Sequence, residues 1–190
     1  LGADMVTYDA QKIQGPKAVG LLYKHSRVPL EAHIRGGSQE RKLRAGTESV
    51  VGVLGMARAF SVVATGRKKR AERVSSIRDY FIEHLLKEMP DIAVNGSRRS
   101  RIPNNVHISV PGVDGDYLAV LMDREGVAVS PRSACIASGT ISEAVLALGK
   151  GKEEALGTIR FTFAPSVTKR DVRRAIRALR TSRMVATRNT

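Results

Sequence analysis

The period of the apolar positions changes several times along the chain, and each change marks an element. Met5-Val6 and Leu21-Leu22-Tyr23 are short apolar runs on either side of a polar stretch that ends in a Gly15-Pro16 turn. They predict two strands with Lys12 in the connection between them. From Glu48 to Ala64 the residues Val50, Val51, Leu54, Ala57, Ala59, Phe60 and Val63 recur at helical spacing, interrupted by Gly52 and Gly55. Thr65-Gly66 predicts the end of that helix. A second helix opens at Arg67 to Arg70, carries the stripe Val74, Ile77, Tyr80, Phe81 and Leu85 toward a core, and closes at Pro90. The join between the two helices is the predicted domain boundary.

Downstream, Ile92-Ala93-Val94 runs into the turn Asn95-Gly96, and Val106 to Val110 alternates with the period of a strand. His107 on that strand reads as a satisfied structural histidine. Asp116 to Glu125 predicts a helix stopped by Gly126, Ile141 to Leu148 a further helical run, and Thr158 to Phe163 a strand. Thr168 opens the last helix, with Asp171 three residues on in the manner of a capping box. The polar tail, 182–190, is expected to fray. Three regions result: 1–65, a compact α+β unit over 66–181, and the tail.

The 190 residues are 42% hydrophobic, enough for a real core. No unbroken run of eighteen apolar residues is present, and the N-terminus lacks a signal-peptide pattern, so the sequence predicts a cytoplasmic protein with no membrane span. A single cysteine, Cys135, excludes an internal disulfide. Starting at Leu1 and entering a strand at once, the chain reads as a fragment. Its net charge of +14, from 32 Lys and Arg against 18 Asp and Glu, admits a polyanion such as RNA as partner. The same cations, spread over several segments, read equally as solvated surface.

Four places carry chemistry. Lys12, between Tyr8 and a Gly-Pro turn, is either a solvated loop lysine or an amine sheltered enough from water to attack a carbonyl. Gly36-Gly37 allows backbone to approach a ligand, and Arg44 with Thr47 offers a cation and a hydroxyl to an anion. Thr47 falls near a predicted helix N-terminus, as a phosphate contact or a plain cap. Cys135 lies in a polar, serine-rich loop, with Arg132 three residues before it as a group that favours a thiolate.

Taken in order, Gln11-Lys12-Ile13-Gln14-Gly15-Pro16, Gly36-Gly37-Ser38-Gln39-Glu40 with Arg44-Ala45-Gly46-Thr47, and Ser133-Ala134-Cys135 followed by Ile159-Arg160-Phe161 resemble a cysteine desulfurase. These are class V aminotransferases dependent on pyridoxal 5'-phosphate (PLP). The resemblance runs over residues 1–179. It implies an α/β chain of the type I PLP-dependent transferase fold: a C-terminal remnant of the large domain, then a complete α+β small domain.

The resemblance also implies roles. Lys12 would carry PLP as a Schiff base, and Gln11 would stand beside it where the family usually has histidine. Thr47 would reach the phosphate of the partner subunit's PLP in a homodimer. Cys135 would be the nucleophile, and Arg160 would bind the carboxylate of L-cysteine. Sulfur would leave as a persulfide for an iron-sulfur scaffold, another sulfur-acceptor protein or tRNA thiolation, with L-alanine as the other product. Asp9 stands where a phosphate-binding serine is common, and is expected to turn away from the phosphate. The residues that stack on the PLP ring precede Lys12 in the family and are not in this sequence. Two other readings remain: another class V enzyme, such as an aminotransferase or selenocysteine lyase, or a non-catalytic basic module that docks RNA or a scaffold protein. No metal site is expected.

Overall fold

The structure is a computed structural model that describes residues 2–132 and 141–188. The chain divides into two compact units, Leu1–Arg67 and Lys68–Thr190.

The first unit is built on an antiparallel hairpin, β1 (Met5–Asp9) and β2 (Gly20–Lys24), with Met5 opposite Lys24 and Asp9 opposite Gly20. Between the strands, Ala10–Ile13 forms a single turn of 3-10 helix. Its backbone is tied down twice at the fully buried Ala10: the Ala10 N–H donates to the Val19 carbonyl at 3.0 Å, and the Gly15 N–H donates to the Ala10 carbonyl at 2.8 Å.

Helix α1 runs without a break over Val50–Glu88. The predicted stop at Thr65-Gly66 is therefore wrong. A helical glycine costs only about 1 kcal/mol relative to alanine, which the residues on both sides outweigh. The Thr65 hydroxyl finds a partner inside the helix, donating to the Ser61 carbonyl at 2.9 Å.

The glycines that weaken the helical pattern have a packing reason. A Cβ at Gly55 would lie 2.5 Å from Pro16 Cγ, one at Gly52 would lie 2.6 Å from Val19 Cγ2, and one at Gly15 would lie 3.1 Å from Ala59 Cβ. Gly52, Gly55 and Ala59 form a small-residue face on which the segment after Lys12 is seated. Tyr8 adds an edge-on contact to Phe60, with ring centroids 5.4 Å apart.

By length and composition α1 is long and apolar enough to cross a membrane, with mean hydropathy 1.3 over an 18-residue window. Polar residues interrupt that window, so a count of unbroken apolar runs misses it. The expectation that nothing here could span a bilayer is corrected to that extent. The Gly52 and Gly55 face of the helix is nevertheless taken by Pro16 and Val19 of the same unit.

The second unit is α+β. Three antiparallel strands, β3 (Ala93–Val94), β4 (Asn105–Ser109) and β5 (Thr158–Thr162), lie in the order β3-β4-β5. Val106, Ile108, Ile159 and Phe161 turn one face of the sheet into a core. That core is completed by Val74, Phe81, Ile82 and Leu85 of α1, by Leu118, Leu121 and Met122 of α2 (Gly115–Arg124), and by Val172, Ile176 and Leu179 of α5 (Lys169–Arg188). Two short helices, α3 (Glu143–Leu146) and α4 (Lys152–Leu156), precede β5. The predicted helical run over Ile141–Leu148 is therefore shorter than expected, and α4 was not anticipated.

Two local readings meet opposite fates. Thr168 and Asp171 form the reciprocal cap of α5: the Thr168 N–H donates to Asp171 Oδ2 at 2.9 Å, and the Asp171 N–H donates to Thr168 Oγ1 at 3.3 Å. The tail is not frayed through 188. Helix α5 continues to Arg188, with Ser182 and Ala186 buried and Arg183 in a bidentate pair with Asp91.

Candidate active site

Lys12 sits in the 3-10 turn between β1 and β2, with its side chain exposed. The expected shelter from water is not provided by its own unit, because Tyr8 turns to Phe60 and Ile13 is only partly buried. The turn is capped from its N-terminal side by Asp9. One carboxylate oxygen accepts the Gln11 N–H at 3.1 Å and the other accepts the Gln11 side-chain amide at 2.9 Å. Asp9 and Gln11 thus satisfy each other, and the Lys12 amine makes no hydrogen bond with a described residue.

Thr47 is exposed and lies before the helix rather than at its cap; Ser49 directly precedes Val50, and its carbonyl accepts the Val53 N–H at 2.9 Å. The expectation of Thr47 as the first cap of α1 is thereby corrected: Thr47-Glu48-Ser49 is a short non-helical lead-in. Arg44 donates to the carbonyl of Ala45. Upstream, Glu40, Arg41 and Lys42 take three consecutive left-handed conformations (φ 48°, 59° and 64°), which strains the backbone for residues with a Cβ. A cavity of about 410 Å³ beside them is lined by Ala32, Arg35, Gly36, Gly37, Ser38 and Lys42.

In the second unit, Arg160 occupies the middle of β5 and is partly buried. Its backbone exchanges two hydrogen bonds with Ser130: the Arg160 N–H donates to the Ser130 carbonyl at 2.7 Å, and the Ser130 N–H donates to the Arg160 carbonyl at 3.2 Å. The neighbouring Thr158 hydroxyl donates to the Pro131 carbonyl at 2.5 Å. Arg132 is paired with Asp116 of α2 at 2.5 Å. Its charge is thus shared with Asp116, and the Cys135 thiolate that Arg132 is expected to favour lies outside the described residues.

Sequence reading missed Asp116, which anchors Arg132, and misread His107. The ring nitrogen Nε2 of His107 is buried without a hydrogen-bond partner among the described residues, so none of them satisfies it. The signal was present in the alternation of β4: Val106 and Ile108 are the core positions, which puts His107 on the opposite face. No group of three or more potential metal ligands occurs among the described residues.

The sequence model of the family described as aminotransferase class-V matches residues 1–175. The chain belongs to that family. A protein named cysteine desulfurase IscS from Dictyoglomus turgidum is 41% identical over 173 residues, covering 90% of this chain and 44% of the relative. A protein named cysteine desulfurase from Sinorhizobium fredii is 36% identical over 177 residues, covering 93% of this chain and 46% of the relative. Among solved structures, a NifS-like protein from Rickettsia africae matches with a TM-score of 0.84 at 26% identity, over 96% of this chain and 48% of its own. The chain spans about half the length of the curated relatives it matches.

Class V aminotransferases depend on PLP, and the residues on this chain fit part of that group. Lys12 offers an exposed primary amine, without a described partner, on a turn whose backbone is fixed at Ala10, which suits an aldehyde. Thr47 offers an exposed hydroxyl, which suits one phosphate oxygen. Asp9, whose charge would repel a phosphate, is engaged by Gln11 instead.

Proposed function

We propose that the chain is the C-terminal part of a PLP-dependent cysteine desulfurase, which takes sulfur from L-cysteine and releases L-alanine. The observation that carries this reading is Lys12 on its pinned turn, an amine without a described partner in a chain whose relatives bear that name. Lys12 would hold the cofactor, with Gln11 beside it and Thr47 at a phosphate of the partner subunit's cofactor in a homodimer. When bound, PLP supplies an electron sink at the α-carbon of the substrate.

The chain's own groups do the rest. Arg160 holds the substrate α-carboxylate with a planar, two-pronged donor. The Lys12 amine takes and returns the α-proton. The Cys135 thiolate attacks the substrate sulfur: a sulfur–sulfur bond forms, the Cβ–S bond breaks, and its electron pair stays with the carbon skeleton. A proton then completes alanine, and Cys135 holds a persulfide for a scaffold or acceptor protein. By itself the chain binds PLP poorly and turns over little or nothing.

The test is to incubate the chain with excess PLP and L-cysteine and to analyse the Cys135 peptide by mass spectrometry. A gain of one sulfur atom that is lost in Lys12→Ala is the expected result. Sulfide release unchanged in Cys135→Ala would contradict the desulfurase mechanism and favour a different class V reaction.

The basic-module reading draws on α5, which carries eight Lys and Arg against one Asp. Most of those cations serve the fold. Arg173 donates to the Tyr80 hydroxyl, Arg174 to the Glu125 carbonyl, Arg180 to Glu88 and Arg183 to Asp91, while Lys169 lies 4.7 Å from the centre of the Tyr80 ring.

A further inference from the structure

His107 and Arg160 stand directly opposite each other in the β4–β5 ladder. Their flanking residues, Val106, Ile108, Ile159 and Phe161, are all in the core, so both side chains share the other face of the sheet. On that face the His107 Nε2 is buried and has no hydrogen-bond partner among the described residues. Burying a ring nitrogen loses its hydrogen bonds to water, and nothing among the described residues returns them.

The charged groups that bear on the ring are all positive: Arg160 across the ladder, Arg101 from the segment before β4, and Lys150 between α3 and α4. Two of the three are occupied. Arg101 donates to the carbonyls of Asn95, Ser97 and Asn105, and Lys150 donates to Glu154 at 2.8 Å. The Arg160 guanidinium makes no hydrogen bond with a described residue. An unpaired ring nitrogen thus sits beside an uncommitted guanidinium, in a setting short of negative charge.

We infer that His107 is a second binding contact for the anion held at Arg160, its Nε2–H donating to one oxygen of an amino-acid α-carboxylate while the guanidinium takes the group from the other side. This rests on the reading of Arg160 as the carboxylate-binding residue. Burial first, then the three cations, hold His107 below the ordinary histidine range, so the free ring is neutral at pH 7 and carries one N–H to give. A carboxylate arriving there offsets the repulsion from Arg160 and favours the protonated ring.

Ring-labelled histidine NMR on the 190-residue chain tests this, with L-alanine as ligand and sodium chloride at equal ionic strength as control. His107→Gln identifies the resonance among the four histidines. L-alanine is expected to move the titration midpoint of His107 upward by about one pH unit. Chloride should not move it, and neither should L-alanine in Arg160→Ala. His107→Leu should weaken L-alanine binding about tenfold, and His107→Gln, which keeps an N–H donor, should retain most of it. Movement of the Arg160 side-chain resonance without movement of the His107 midpoint would overturn the inference and leave the role of Arg160 standing. If neither responds, both are overturned.

Discussion

The two units bury their apolar residues to very different degrees. In Lys68–Thr190 a continuous core joins one sheet face to three helices, and Phe81, Leu85, Ile108, Leu118, Ile159 and Leu179 are wholly withdrawn from solvent. Among the described residues of Leu1–Arg67 the only buried hydrophobic ones are Ala10, Ala45 and Met56, while Leu22 is 45% and Val51 85% exposed. The first unit is held by a two-stranded ladder and by the contact of Pro16 and Val19 with the glycine face of α1. A hairpin of that kind is marginal without apolar burial. Arg160 therefore rests on a self-supporting scaffold, whereas Lys12 rests on a lightly packed one.

The largest expected effect breaks the stronger side of that contrast. Phe81→Ala removes a ring packed on Phe161 and Phe163, at 4.6 and 5.3 Å, and should cost about 3–5 kcal/mol in urea unfolding of the second unit. Leu22→Ala, on the exposed face of β2, should stay within about 0.5 kcal/mol. Next comes the seat of the Lys12 turn. Gly55→Ala places a methyl 2.5 Å from Pro16 Cγ, and should cost about 1–3 kcal/mol despite the better helix former. Hydrogen exchange should show the Ala10 amide, bonded to Val19, losing protection while the amides of β5 keep theirs.

Thr168→Ala should lower the stability of the second unit by about 1 kcal/mol, measured by thermal unfolding, because the α5 cap is lost. The smallest effect is on pH dependence. Burial, then Arg160, Arg101 and Lys150, lower the pKa of His107, so the unfolded chain takes up this proton at a higher pH than the folded one. The stabilisation is complete above the ordinary histidine range and is lost as the pH falls through the folded value, and His107→Gln should flatten that slope.

The same contrast explains what the sequence made legible. Elements that bury their own apolar face, such as β4, β5 and α5, announce themselves by period, and the Thr168–Asp171 cap is local enough to read. The unbroken course of α1 was not legible, because the use of Gly52 and Gly55 depends on Pro16 and Val19, more than thirty residues away. His107 was misjudged for a similar reason: its neighbour is Arg160, on a strand more than fifty residues downstream. The residues of the candidate site were readable by type and order. Their surroundings depend on long-range packing that no local pattern encodes.

The central claim is that Lys12 is the cofactor-binding lysine while its own unit supplies too little of the pocket to hold PLP tightly. The direct measurement mixes equimolar PLP with the chain, reduces with borohydride and maps the labelled peptides. The account predicts a small fraction of chains modified, with Lys12 labelled ahead of Lys17, Lys24 and Lys42. A stoichiometric adduct at Lys12, or label spread evenly over these lysines, would contradict it.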